Sequence, residues 1–180
     1  MFSLVTISSK KIHSIDEFEF VQNYPKDSFD LNDPSNSPIE SVLYYCSGII
    51  NESRNYSFCI NLGGGNISLP IKPEMSILLE QIAKIMSFLR SNYTNSLIVD
   101  FFEQGYEIII TLEKLEKSVD VHLTGKDPEI ILTEIIPIDL FVSSICRFVL
   151  DFISAVSIID LSILHEPAFV KWFSQVSIRE

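Results

Sequence analysis

Four apolar runs, 97–102, 106–113, 118–124 and 129–136, alternate residue by residue in hydrophobic character and are separated only by short turns. A period of two sends successive side chains to opposite faces of an extended strand. The turns are Gln104-Gly105, Leu115-Glu116 and Gly125-Lys126-Asp127-Pro128. With the tightest closure at each, the strand registers follow. One face then collects Leu97, Val99, Phe101, Ile108, Ile110, Leu112, Val119, Val121, Leu123, Ile130 and Leu132, all apolar. Three independent turns agree on one greasy side. The pattern predicts a four-stranded antiparallel meander.

The reverse side is where a function could sit. The same registers place Asp100, Ile109, His122 and Ile131 in one cross-strand row. A second row holds Ile98, Thr111, Asp120 and Thr133, and a third Phe102, Glu107, Thr124 and Glu129. Carboxylates mixed with Ile and Phe are unusual on a surface that meets only water, and apolar residues within a polar rim mark interaction surfaces. The candidate partner-binding residues are Asp100, Phe102, Glu107, Ile109, Asp120, His122 and Ile131. The N-terminal segment, the 23–38 stretch or a second subunit would be the alternative cover. A histidine near carboxylates can act as a general acid or base. Here no Ser or Cys nucleophile on a defined elbow accompanies His122, and an open sheet face excludes water poorly. A satisfied surface histidine is the reading taken.

Elsewhere, residues 2–7 suit a strand, and Ser14 with Glu17 has capping-box spacing for a short helix to about Gln22. Three prolines among Asp, Asn and Ser make 23–38 a surface loop or mobile linker. The aromatic and β-branched runs 42–50 and 55–62 read as a hairpin turning at Glu52-Ser53. Leu43, Tyr45, Ile49, Tyr56, Phe58, Ile60 and Leu62 would share one of its faces. Cys46 would lie opposite Cys59, close enough for a disulfide, although free thiols are expected in a reducing compartment. Gly63-Gly64-Gly65 lacks the Gly-Lys-Ser/Thr of a phosphate loop and reads as a flexible turn. Pro73 opens an amphipathic helix, 73–91, with Met75, Leu78, Leu79, Ile82, Ile85, Met86 and Leu89 on its stripe. Ile138 to Ile159 reads as a long helix, apolar around most of its circumference, with Arg147 and Asp151 paired on a wet side. After His165-Glu166-Pro167, residues 168–176 make a short terminal helix. The expected fold is α+β and a single domain, 1–180. It has a mainly antiparallel sheet of about six strands (hairpin 42–62, meander 97–136), with helices 73–91 and 138–159 packed on one face.

Charge narrows the partners. With 24 acidic against 13 basic residues the net charge is -11, a field that repels nucleic acid and anionic membrane surfaces and attracts basic proteins. The first residues lack the pattern of a signal peptide, and the four Asn-x-Ser/Thr sequons are taken as chance, so a cytoplasmic location is expected. The only membrane candidate, Ile138 to Leu164, is broken by four charges. Each costs about 2.5–3.5 kcal/mol at a helix centre, so a buried helix is expected there. No histidine or cysteine spacing suits a metal, and no cofactor motif is present. In broad profile the chain is similar to bacterial immunity proteins, cytosolic inhibitors that block cognate toxins with acidic surfaces. That resemblance implies a non-enzymatic, toxin-neutralising binding role. The chain is also similar in size, charge and composition to acidic type III secretion chaperones, which would imply a homodimer. An enzyme of unfamiliar type is the third alternative.

Overall fold

Among the described residues the fold is α+β, with seven strands in two antiparallel sheets, not the one sheet of about six strands expected, and four α-helices. The computed structural model describes residues 5–9, 38–91, 96–101, 108–125 and 131–176. The expected 14–22 helix and most of the 23–38 loop lie outside the described residues.

The smaller sheet has the order β1-β2-β3, from strands Val5–Ser9, Tyr56–Leu62 and Gly65–Leu69. Helix α1, Pro38–Glu52, precedes β2 and corrects the expected 42–62 hairpin. The run 42–50 is helical. Val42, Leu43, Cys46, Ile49 and Ile50 are buried at intervals of three and four, which is the helical period and not the strand period. Pro38 stands at the first helical position, where its missing N–H removes no hydrogen bond. Aromatic and β-branched composition had masked that spacing. Cys46 therefore points into the core from α1 and does not face Cys59, whose strand neighbours are Thr6 and Ser68. All three cysteines are free, and burial pushes the Cys46 thiol far above its ordinary range.

The glycine run is a tight hairpin turn. Gly63 and Gly64, at φ +56° and +78°, connect β2 to β3, which the sequence had not announced. Two positive φ values give the two-residue turn whose twist matches paired strands. The turn leans on the second sheet, where a Cβ at Gly63 would lie 2.8 Å from the Thr133 carbonyl oxygen.

That second sheet is the expected meander, β4-β5-β6-β7, from Ser96–Asp100, Ile109–Lys114, Ser118–Thr124 and Ile131–Pro137. Its inner face carries Leu97, Val99, Phe101, Ile108, Ile110, Leu112, Val119, Val121 and Leu123, all buried. Leu132 is partly buried against the same core, and Ile130 lies outside the described residues. Two residues on the inward alternation are polar: Lys114, and Glu134, which accepts the Gly63 N–H at 2.9 Å.

Two long helices line that inner face. Helix α2, Ser76–Arg90, follows an irregular turn, Ile71–Met75, and so starts three residues after the expected Pro73. It buries Leu78, Leu79, Ile82, Ile85, Met86 and Leu89. The Lys114 ammonium donates to the carbonyls of Leu89 (2.6 Å) and Ser91, neutralising the negative end of α2. Helix α3, Ile138–Ile159, buries Phe141, Ile145, Phe148, Val149, Phe152 and Val156. By length and composition alone α3 could cross a membrane, yet that buried stripe is core packing. Its other side bears the Arg147–Asp151 ion pair (3.0 Å) and exposed Leu140, Leu150 and Ile158, so α3 is less enclosed than expected. Helix α4, Pro167–Val176, closes the far end. Trp172 Nε1 donates to the Leu79 carbonyl (3.1 Å), and the Trp172 ring stands edge-on to Phe152.

Candidate binding face on the four-stranded sheet

With its inner face committed to the core, the meander turns its other face away from both long helices. β4 contributes Ser96, Ile98 and Asp100, and β5 contributes Ile109, Thr111 and Glu113. β6 contributes Ser118, Asp120, His122 and Thr124, and β7 contributes Thr133 and Ile135. All of these are exposed or partly exposed. Ile98 and Ile135 are 54% and 61% exposed, large values for isoleucines in a sheet. Among the described residues nothing packs over them; residues 1–4 and 10–37, which include nearly all of the expected cover, lie outside the described residues. Strand β1 belongs to the other sheet.

The pairing corrects two of the expected registers and preserves the faces. Asp100 pairs with Ile109, as expected. Ile109 then pairs with Thr124 and not with His122, and Thr124 pairs with Ile131. The cause is the β5–β6 turn. The Leu115 N–H donates to the Ser118 carbonyl (2.9 Å), so the turn residues are Glu116-Lys117, one position later than expected. Moving a hairpin turn by one residue slides the pairing by two, which leaves every side chain on its original face. The β6–β7 register is likewise two residues from the expected one, with Thr124 opposite Ile131; residues 126–130 between the strands lie outside the described residues.

The rows as they stand are Asp100–Ile109–Thr124–Ile131, Ile98–Thr111–His122–Thr133 and Ser96–Glu113–Asp120–Ile135. His122 and Asp120, two apart on β6, share a side, with His122 Nε2 3.2 Å from Asp120 Oδ2. Of the expected partner-binding residues, Asp100, Ile109, Asp120 and His122 are thus brought onto one face, and the backbone of Ile131 joins the Asp100 row. Phe102 and Glu107 lie outside the described residues. The sequence analysis missed Glu113 and Ile135. Both lie within the runs 106–113 and 129–136 and on the same alternation, but the row they share starts at Ser96, one residue before the assumed start of the first strand, and so was not among the expected rows.

Chemically the face is one-signed. Asp100, Glu113 and Asp120 are its carboxylates, and no lysine or arginine lies on it among the described residues; Lys114 points inward to α2. Three spaced carboxylates around isoleucines give electrostatic steering plus apolar area that can be buried. The Asp120–His122 pair lies on an open sheet, flanked in its row by Thr111 and Thr133, without the enclosure that makes charge stabilisation strong. A void in the core, where the sheet meets β2, α2 and α3, is about 20 Å³, with apolar lining from Leu62, Ile85, Leu112 and Ile145. That is room for one water without partners, and none for a substrate. No group of three or more His, Cys, Asp or Glu suited to a metal ion occurs among the described residues. Compared with known proteins, the chain matches no family model, no curated sequence and no solved structure.

Proposed function

We propose that this chain is a non-enzymatic binding protein that takes a basic protein partner on the outward face of the four-stranded sheet. The observation that carries the proposal is the exposed pairing of Ile98 and Ile135 with Asp100, Glu113 and Asp120 on a face free of lysine and arginine among the described residues. A net charge of -11 extends the same field beyond the contact itself. Neutralising a basic toxin inside the cell, in the manner of bacterial immunity proteins, is the role that this charge and this face suit best. An acidic, dimeric secretion chaperone is the second reading, and the exposed Leu140, Leu150 and Ile158 along α3 are the observation in its favour.

Affinity capture with tagged wild-type chain beside the triple variant Asp100→Lys, Glu113→Lys, Asp120→Lys tests the proposal. The wild type should enrich a basic protein, and the variant should lose it. Raising salt from about 0.05 to about 0.3 M should slow association at least about tenfold, as screening removes the steering. Equal recovery by both chains, or an association rate indifferent to salt, would contradict it.

A further inference from the structure

The two lateral edges of the meander are treated differently. The β7 edge is met by the glycine turn, with the Gly63 N–H held by Glu134 and the turn backbone pressed against Thr133. The β4 edge has no strand beside it among the described residues, since β4 ends the order β4-β5-β6-β7. Which backbone groups it presents follows from the ladder. The Phe101 N–H donates to the Ile108 carbonyl (3.0 Å), so 101 and 108 are a hydrogen-bonded pair. In antiparallel pairing such pairs alternate, so Val99 and Leu97 also direct their N–H and C=O to β5. Ser96, Ile98 and Asp100 direct theirs outward. Among the described residues the side chain on these groups is Gln81, whose Nε2 donates to the Asp100 carbonyl at 3.3 Å, leaving that oxygen a second lone pair. An edge of this kind templates another strand, and natural sheets blunt it with proline, lysine or a bulge. The β4 sequence Ser-Leu-Ile-Val-Asp has none of these.

We propose that two copies of the chain join edge to edge through β4, antiparallel about a two-fold axis at Ile98, so that two four-stranded sheets become one of eight strands. The register is self-selecting. With Ile98 across from its counterpart, the exposed isoleucines cover each other, and Ser96 of each copy faces the Asp100 carboxylate of the other. Leu97 and Val99 cross on the inner side and prolong the apolar layer. A register two residues away in one direction sets Ile98 against Asp100, and in the other sets it against Ser96. A shift of four sets Asp100 against Asp100, two like charges in contact. Only the register centred on Ile98 matches chemistry on both sides of the sheet. The inference does not depend on the basic partner. It would set two acidic faces side by side on one continuous sheet.

Light scattering and backbone amide exchange on the full chain test it together. Over about 10 µM to about 1 mM the mass should approach twice 20.5 kDa, in a range typical of small interfaces. Higher salt should strengthen the association, because it screens two chains of like charge, whereas it should weaken binding of a basic partner. The amides of Ser96, Ile98 and Asp100 should exchange at least about tenfold more slowly in the dimer. Ile98→Pro removes only an outward-facing N–H at an edge that tolerates proline, and should give a monomer. Should that variant not fold, Ile98→Lys tests the same point, setting two ammonium groups across the axis while lowering the net negative charge. Leu150→Asp, on the exposed side of α3, should leave the dimer intact. A monomer at every concentration would overturn the proposal. So would a dimer broken by Leu150→Asp, or one in which the three amides exchange freely.

Discussion

Glu74 is 1% exposed, and its Oε2 has no hydrogen-bond partner. Burial raises its carboxyl above the ordinary carboxylate range, so the fold favours the protonated form. The sign follows from linkage. A raised folded-state value means that the cost of the buried charge is absent in acid and grows as pH climbs from the unfolded value, about 4.3, through the folded one. Glu74→Gln should therefore stabilise the protein at pH 7 by about 1 kcal/mol, at the low end for an unsatisfied group because a backbone hydrogen bond to the carboxyl offsets part of the burial. The gain should shrink as pH falls through the raised folded value, where the wild-type carboxyl protonates, and be absent below about pH 4. Urea midpoints of both proteins at the two pH values measure it, and a gain independent of pH would mean that charge is not its cause. Gly63 and Gly64 give a sharper contrast. Both need left-handed backbone, but only Gly63 has a carbonyl oxygen where its Cβ would be. Gly64→Ala should cost about 1 kcal/mol from backbone strain alone. Gly63→Ala should cost clearly more and loosen the Glu134 contact. Equal losses in thermal denaturation would show that the turn does not press on β7.

At the scale of elements, legibility tracked how many constraints a segment carried. The meander could be read because alternation, turn residues and face agreement are redundant, so a turn misplaced by one residue at Glu116 left Asp100, Asp120 and His122 on the correct side. Helix α3 was readable to its ends because Pro137 starts it and an unbroken apolar period fills it. Helix α1 was not, since Tyr44, Tyr45, Ile49 and Ile50 have strand-like composition and only the spacing of Val42, Leu43 and Cys46 reveals the helix. Strand β3 was hidden by its shortness: the glycines read as a flexible turn, but the five residues Gly65–Leu69 carry too little alternation to mark a returning strand. For α3 the packing makes a direct prediction. Phe152 is fully buried against Phe169 and Trp172, whereas Leu150 lies exposed two residues away. Phe152→Ala should cost about 3–5 kcal/mol, the range for a core aromatic replaced by a void. Leu150→Ala should cost within about 0.5 kcal/mol. Denaturant titrations that ranked them equally would place α3 in a different rotation about its axis.

For the whole molecule, one arrangement governs the rest. The apolar side of the meander is consumed by α2, α3 and β2, so its other side, uncovered among the described residues, displays carboxylates and isoleucines, and the chain's excess of acid gives that display its sign. The sequence carried the face but not its full membership. Glu113 and Ile135 emerged only with the true registers, and Thr111 and Thr133, not Ile109 and Ile131, flank His122. Covalent footprinting of side chains, on the isolated monomer and on its complex with the captured basic partner, tests the central claim most directly. Ile98, His122 and Ile135 should label readily in the monomer and be protected in the complex, while Leu150 and Ile158 on α3 label alike in both. Protection of the sheet residues already in the monomer, or protection on α3 alone in the complex, would contradict the account.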